Sequence, residues 1–265
     1  MSRHFRAEYL IREYDEKGSI PARRSTCMLT VIEKLRAKGL RGTAQALVDR
    51  LEEAALEPYW ERKLGVSTGG RISRERLGYG QDQSFYAPTA YGNIRRILRA
   101  LDIRPGGRQV MVDVGCGKGR VLVMAARLPF TRLVGVERSP ELGEQARRNA
   151  AKARDHGARA PIQIVTADAA AYVVPDDATI VYFASPFSGH VLDSVLAQVS
   201  ASLARAPRAL RIVSHGYDAA NAFERQIRQR EWLFVGTEVP LMRSNCAWIY
   251  ENSRWTAPRA GTAAP

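Results

Sequence analysis

Three closely spaced glycines, Gly115, Gly117 and Gly119, form the part of this chain whose spacing most directly indicates chemistry. They follow the β-branched segment Val110–Val114, which is typical of a buried strand, and precede a helical apolar segment. Such glycines let the backbone approach a ligand, and the next helix begins with free N–H groups. Arg120 stands where the dinucleotide pattern has its third glycine, so the run predicts a nucleotide-binding turn without deciding between ligands.

Polar residues also follow the next predicted strands. Glu137 ends the strand at 132–137, about twenty positions past the glycines, where a carboxylate can accept from both hydroxyls of a ribose. Asp168 and Ala169 follow the strand at 162–166, and the triplet Ser185-Pro186-Phe187 follows the strand at 179–183. The carboxyl ends of parallel strands meet at one edge of a sheet, so these residues predict a single site.

This series of motifs resembles the class I S-adenosylmethionine-dependent methyltransferases over residues 80–252. The resemblance implies that the glycine turn lies under the methionine part of the cofactor. It further implies that Glu137 holds the ribose and that Asp168 holds the adenine amino group. The cofactor-binding residues predicted in this way are Tyr86, Thr89, Asp113, Gly115, Cys116, Gly117, Gly119, Glu137, Arg138, Asp168 and Ala169.

The segment that leads into the domain has a closer likeness. Tyr86-Ala87-Pro88-Thr89 is similar to a tyrosine-x-proline-threonine motif in a group that includes lysine methyltransferases of an ATP synthase subunit. That likeness implies that Tyr86 and Thr89 fold over the methionine end of the cofactor. It weakens at Ser185-Pro186-Phe187, where the related histone enzymes carry asparagines before the phenylalanine.

The predicted catalytic residues are Ser185, Pro186, Phe187 and His215. Methyl transfer from a sulfonium is an in-line displacement that alignment and desolvation accelerate, so a strong base is optional. His215 directly follows the fifth predicted strand and is the better-placed histidine for a base, although a histidine at a strand end more often bonds only the backbone.

The predicted fold is α/β, a doubly wound, mostly parallel seven-stranded sheet with an N-terminal helical extension. The predicted parts are residues 1–80 (extension), 81–255 (methyltransferase domain) and 256–265 (disordered tail). Apolar positions at helical spacing in 26–36 and 42–53 predict a helical hairpin that Pro58 ends. This extension is predicted to be a lid over the acceptor or a structural element. As a lid, its residues 1–64 would be required for turnover but dispensable for cofactor binding.

The composition of the chain favours some classes of binding partner over others. The net charge is +13, but basic residues exceed acidic ones by similar amounts, 5, 5 and 3, in residues 1–80, 81–180 and 181–265. A nucleic-acid surface is expected to be a clustered stripe, so nucleic acid is a less favoured partner than a small-molecule or protein acceptor. Three scattered cysteines and four histidines show no spacing for a disulfide framework or a metal. The sequence contains no segment typical of a signal or a membrane span, which predicts a cytoplasmic protein.

Three function classes remain open. The favoured one is a methyltransferase acting on a nitrogen or oxygen of a small molecule or protein side chain. The second is an RNA or DNA methyltransferase, and the third is a non-catalytic S-adenosylmethionine-binding module. The sequence determines neither the acceptor nor the oligomeric state.

Overall fold

The computed structural model describes residues 26–80, 85–184, 187–215, 220–242 and 245–252. The chain divides into two compact units, residues 1–45 and 46–265. The division lies inside the N-terminal helix, and the domain boundary near residue 80 stays a prediction of the sequence. The predicted disordered tail and two of the predicted catalytic residues, Ser185 and Pro186, lie outside the described residues.

The elements alternate between helix and strand after residue 90. The helices are α1 (Thr26–Leu64), α2 (Tyr91–Ala100), α3 (Arg120–Ala125), α4 (Pro140–Asp155), α5 (Gly189–Arg205) and α6 (Ala220–Arg228). The strands are β1 (Val110–Val114), β2 (Arg132–Glu137), β3 (Ile162–Thr166), β4 (Ile180–Phe183), β5 (Arg211–His215), β6 (Leu233–Pro240) and β7 (Cys246–Asn252).

The seven strands form one sheet in the order β3-β2-β1-β4-β5-β7-β6. Strands β1 to β5 are parallel, and β7 is antiparallel to both β5 and β6. This arrangement confirms the predicted fold class, a mostly parallel sheet of seven strands. The chain reverses its direction of progress across the sheet between β1 and β4, and ligands of open α/β sheets bind outside the strand ends at such a point.

The core has one apolar cluster on each face of the sheet. Met111 of β1 joins the cluster that α2 and α3 cover, whereas Val112 and Val114 join the cluster that α5 covers. Every residue of β1 is buried, as expected for a central parallel strand. Helix α4 begins with Ser139 as its N-cap, whose hydroxyl accepts from the Leu142 N–H, and with Pro140 at its first position.

Helix α1 is one helix, so the predicted hairpin of two helices is wrong. Each glycine inside α1 lowers the stability of the helix by only about 1 kcal/mol relative to alanine, and Pro58 lacks one backbone N–H donor. Leu56, Trp60 and Leu64 lie four residues apart on either side of Pro58 and pack against the core. Their burial compensates for the local cost, which is why the proline does not end the helix.

Candidate functional site

A cleft of about 880 Å³, open to solvent on one side, lies at the carboxyl ends of the central strands. All but one of the predicted cofactor-binding residues line it: Tyr86, Thr89, Asp113, Gly115, Cys116, Gly117, Glu137, Arg138, Asp168 and Ala169. Gly119 does not, because it caps α3 and faces α4, where a Cβ would meet the Ala146 side chain at 3.3 Å. The topology thus brings residues that are up to about 80 positions apart into one site.

Glu137 is held at the end of β2 by three donors. Its Oε2 accepts from the Gly117 N–H at 2.9 Å. Its Oε1 accepts from the Ser139 N–H at 2.8 Å and from the Tyr79 hydroxyl at 2.5 Å. These bonds fix the carboxylate with its oxygens at the cleft, although its side chain is only 4% exposed.

Asp113 is the most deeply buried acid of the site. Its Oδ2 has no hydrogen-bond partner among the described residues. Burial, and secondly the charge of Glu137, raise the pKa of the Asp113 carboxyl to about 8. A buried acid in this state is suited to a cationic ligand, because the ligand would supply the charge and the donor that the protein does not.

The glycine turn is hydrogen-bonded to β2 on one side and covered by the ring of Tyr86 on the other. The N–H groups of Gly115 and Cys116 both donate to the Val136 carbonyl, at 2.8 and 3.0 Å, which joins the turn to β2. Gly117 has a φ of +55°, and a Cβ there would lie 2.4 Å from the ring of Tyr86. Only glycine fits this position, because the backbone is left-handed and the ring leaves no room.

Cys116 is a small buried residue of the turn and has no features of a nucleophile. Burial, with the nearby Asp113 and Glu137 charges, raises the pKa of its thiol well above the ordinary value, so it stays protonated at neutral pH. A Cβ at Gly135 of β2 would meet its sulfur at 2.7 Å, which shows how closely turn and strand pack.

The segment before α2 contributes two predicted residues. The Tyr86 hydroxyl donates to the Thr68 carbonyl at 2.6 Å, which fixes the ring over the glycine turn. Thr89 is buried, and its carbonyl accepts from Arg120 at 3.1 Å. Both residues line the cleft, and their place over the methionine end of a cofactor stays a prediction of the motif.

Asp168 and its neighbours form the far wall of the cleft. Its Oδ1 accepts from the Ala170 N–H at 2.9 Å and so begins the short 3-10 helix Ala169–Ala171. Its Oδ2 lies 4.0 Å from Arg138, in an ion pair that is about half exposed. Such a partly exposed pair contributes little to stability.

The predicted catalytic residues are only partly brought together. Phe187 is buried, lines the cleft and packs edge-on against Phe183. His215 lies at the end of β5 but does not line the cleft, and its burial lowers the pKa of the imidazole to about 4. A neutral imidazole enclosed in this way has the features of a core histidine, and its predicted role as a base gains no support from this position.

Two polar residues that line the cleft were not predicted from sequence, Arg120 and Tyr79. Arg120 was read only as a departure from the dinucleotide pattern, and a charge inside an apolar helix start was the signal that could have identified it. Tyr79 stands between Gly78 and Gly80, where the glycines predicted a loop but gave no sign of what the ring contacts.

Arg120 joins the glycine turn to residues that precede the domain. Its side chain is only 3% exposed and forms an ion pair with Glu57 at 2.7 Å and one with Glu61 at 3.4 Å. Its Nε donates to the Thr68 hydroxyl at 2.6 Å, and its guanidinium lies 4.3 Å from the centre of the Tyr91 ring. The C-terminal end of α1 is thus part of the structure that holds the cleft.

The described residues contain neither a cluster that could hold a metal nor a helix that could span a membrane. No group of three or more histidines, cysteines or acids within the described ranges is arranged to hold a metal ion. No helix in the part of the chain that the structure describes is long and apolar enough to cross a bilayer.

Known proteins that are similar to this chain include methyltransferases. Residues 111–209 match a family described as "Methyltransferase domain". Protein-L-isoaspartate O-methyltransferase of Aeropyrum pernix is 34% identical over 145 residues, which cover 53% of this chain and 50% of that protein. The chain thus spans about half the length of the curated relative that it matches.

Solved structures with a similar fold include two with stated activities. An RNA methyltransferase from Salinibacter ruber in complex with S-adenosyl-L-homocysteine has a TM-score of 0.47 and 22% identity, and covers 65% of this chain and 97% of its own. A ribosomal protein L11 methylase from Lactobacillus delbrueckii subsp. bulgaricus has a TM-score of 0.48 and 12% identity, and covers 62% of this chain and 80% of its own.

Proposed function

Since this chain contains a class I S-adenosylmethionine-dependent methyltransferase domain, we propose that it transfers the methyl group of that cofactor to a nitrogen or oxygen of a small molecule or protein side chain. The observation that carries the proposal is the cleft in which Asp113, Glu137 and Asp168 lie beside the glycine turn. Each carboxyl group comes from the end of a different strand or its following loop, as the predicted series of motifs requires.

The residues of the cleft fit the cofactor. Its ammonium group suits the buried Asp113 carboxyl, whose Oδ2 has no hydrogen-bond partner among the described residues. Glu137 would accept from the ribose hydroxyls, and Asp168 would accept from the adenine amino group. The cofactor supplies a methyl group activated by a positively charged sulfur, and the protein supplies alignment and the exclusion of water.

The other end of the cleft supports an acceptor that needs no protein base. The described lining of the cleft includes the apolar side chains of Phe85, Pro88, Phe187 and Val191. A carboxylate oxygen is already a nucleophile at neutral pH, whereas an amine must first lose its proton. The relative from Aeropyrum pernix is named as an O-methyltransferase of a protein residue, and this supports testing a protein carboxylate first.

The catalytic roles of Ser185, Pro186 and His215 are proposed from the sequence alone. The triplet Ser185-Pro186-Phe187 follows β4, and the position of Phe187 in the cleft supports an acceptor-side role for this loop. A backbone carbonyl and an aromatic ring together can hold a planar nitrogen, which is the alternative to a carboxylate acceptor.

The test is a transfer assay with radiolabelled S-adenosylmethionine and a cell extract as the source of acceptor. We expect label in protein that alkali releases as methanol, which identifies a methyl ester. Label that resists alkali would instead identify an amine acceptor, such as that of the lysine methyltransferases which the leading motif resembles. Label that ribonuclease removes, with binding that weakens steeply as salt rises, would identify RNA.

A matched pair of variants controls this assay. Glu137→Gln keeps the size of the side chain but removes the charge that the ribose hydroxyls need, and we expect the dissociation constant of S-adenosylhomocysteine to rise by about tenfold or more. Glu231→Gln changes an exposed acid that does not line the cleft and should behave as the parent protein. Cofactor binding without transfer to any acceptor would favour the non-catalytic module.

A further inference from the structure

Glu137 has almost no remaining capacity to accept hydrogen bonds. A carboxylate offers about four lone-pair positions, two on each oxygen. The Tyr79 hydroxyl and the Ser139 N–H occupy those of Oε1, and the Gly117 N–H occupies one of Oε2. A ribose presents two hydroxyl donors, so with Tyr79 in this position Glu137 can accept only one of them.

The Tyr79 hydroxyl is a firm donor that stands on a turn with no buried residue. Burial, and secondly Glu137, raise the pKa of this hydroxyl, which therefore stays protonated. None of the residues 73–80 is buried, and the Tyr79 N–H bonds within the turn, to the Arg74 carbonyl. Gly78 has a φ of +66°, and a Cβ there would meet nothing within 4 Å, so the turn has room to move.

The chain beside this turn is anchored. Ile72 and Tyr86 form an antiparallel bridge with bonds of 2.9 and 3.1 Å. The Tyr86 hydroxyl holds Thr68, and Lys118 of the glycine turn donates to the Gly69 carbonyl at 2.7 Å. A displacement of Tyr79 can therefore remain local to residues 73–80 and leave the floor of the cleft in place.

We propose that Tyr79 competes with the cofactor ribose for Glu137, so that cofactor binding displaces the tyrosine hydroxyl and releases the turn of residues 73–80. This inference rests on the proposed function, because it assigns Glu137 to the ribose. It makes Tyr79 a residue that sets cofactor affinity although it does not lie at the end of a strand of the sheet. Each binding event exchanges one hydrogen bond within the protein for one with the ligand.

The first test is calorimetry of S-adenosylhomocysteine with the full chain and with Tyr79→Phe, which keeps the ring and removes the competing donor. We expect the variant to bind about tenfold more tightly, which is about 1.4 kcal/mol. Its affinity for the 2′,3′-dideoxy analogue should equal that of the parent protein. Tyr172→Phe, which removes a half-buried hydroxyl that does not line the cleft, is the control.

The second test is hydrogen exchange of the parent protein. Addition of S-adenosylhomocysteine should accelerate exchange in residues 73–80 while it slows exchange in residues 113–120. Slower exchange in residues 73–80, or weaker or unchanged binding by Tyr79→Phe, would overturn the inference and leave the proposed function intact. An equal gain for both ligands would also overturn it, because the ring would then act by bulk. Failure of the parent and the variant to bind S-adenosylhomocysteine would overturn both.

Discussion

Burial of the Asp113 carboxyl lowers the stability of the fold at neutral pH, but it places an acid where a cationic ligand can bind. Its carboxyl is buried in β1, and a pKa of about 8 means that the folded protein binds this proton more tightly than the unfolded chain does. The ordinary pKa of an aspartate is about 3.9. The folded state therefore loses stability as the pH rises from about 4 to about 8, with a limiting slope of about 1.4 kcal/mol per pH unit.

Asp113→Asn should remove this pH dependence. We expect the free energy of unfolding of the variant to exceed that of the parent by an amount that grows from pH 4 to pH 8 and is constant above. Urea unfolding at several pH values measures it, with Asp155→Asn at the exposed end of α4 as the control. The stabilised variant should bind S-adenosylhomocysteine less tightly, since it has lost the charge that suits an ammonium group. A difference that shrinks as the pH rises would contradict this account.

Position 117 requires glycine for two reasons: its backbone is left-handed, and the ring of Tyr86 leaves no room for a side chain. Gly117→Ala should cost clearly more than Gly106→Ala in a thermal or urea unfolding experiment. Both positions have a positive φ, so both substitutions incur the roughly 1–2 kcal/mol of a left-handed residue, but only position 117 adds a clash with Tyr86. Only Gly117→Ala should also weaken binding of S-adenosylhomocysteine. Equal costs at the two positions would show that the Tyr86 ring moves freely.

At the scale of elements, the loop between α1 and α2 is fastened to the glycine turn by buried polar groups. Asn149 of α4 donates to the carbonyls of Ser67 and Lys118 at 3.1 and 2.9 Å and accepts from the Ser67 N–H. Arg120 of α3 adds its ion pairs with Glu57 and Glu61. These contacts position Tyr86 and Thr89 over the cleft and explain why an N-terminal helix is needed beside a nucleotide fold.

Arg120→Ala should lower the free energy of unfolding by roughly 2–3 kcal/mol. Breaking a buried ion pair commonly costs about 3–5 kcal/mol, but the Glu57 and Glu61 side chains are about a quarter to a third exposed and can recover water. Arg96→Ala, which breaks a pair with Glu52 that is about one third exposed on each side, should cost under about 1 kcal/mol. Urea unfolding compares the two, and equal losses would contradict a special role for Arg120.

At the scale of the whole molecule, the boundary between the two compact units predicts which N-terminal residues can be deleted without loss of the fold. Residues 46–265 contain the sheet, the cleft and both acidic partners of Arg120. The C-terminal part of α1 therefore belongs to the same compact unit as the cleft. The sequence analysis predicts that residues 1–64 are dispensable for cofactor binding, whereas the contacts of Glu57 and Glu61 lead us to expect the opposite.

Removal of residues 1–45 should leave the melting temperature of the remaining chain and its affinity for S-adenosylhomocysteine close to those of the parent. Removal of residues 1–64 should lower both, because it also removes Glu57, Glu61 and the core residue Leu64. Calorimetry of unfolding and of binding on the two truncated proteins tests this. Similar behaviour of both would place the functional boundary near residue 64.

The sequence by itself determined the parallel sheet, the order of its strands along the chain and the residues at their carboxyl ends. It could do so because these features follow from local patterns: β-branched runs, glycines at a turn, and a cap and proline before α4. Glu137, Asp168 and the glycine turn were therefore predictable as one site, since parallel strands bring their ends together whatever their side chains do.

Only the tertiary structure decided the contacts made across the chain. Whether Pro58 ends α1 depends on the burial of Leu56, Trp60 and Leu64, which no local pattern contains. The enclosure of His215, the ion pairs of Arg120 and the bond of Tyr79 to Glu137 likewise depend on groups far away in sequence. Burial and hydrogen bonding are properties of the packed environment, and that environment exists only once the whole domain has formed.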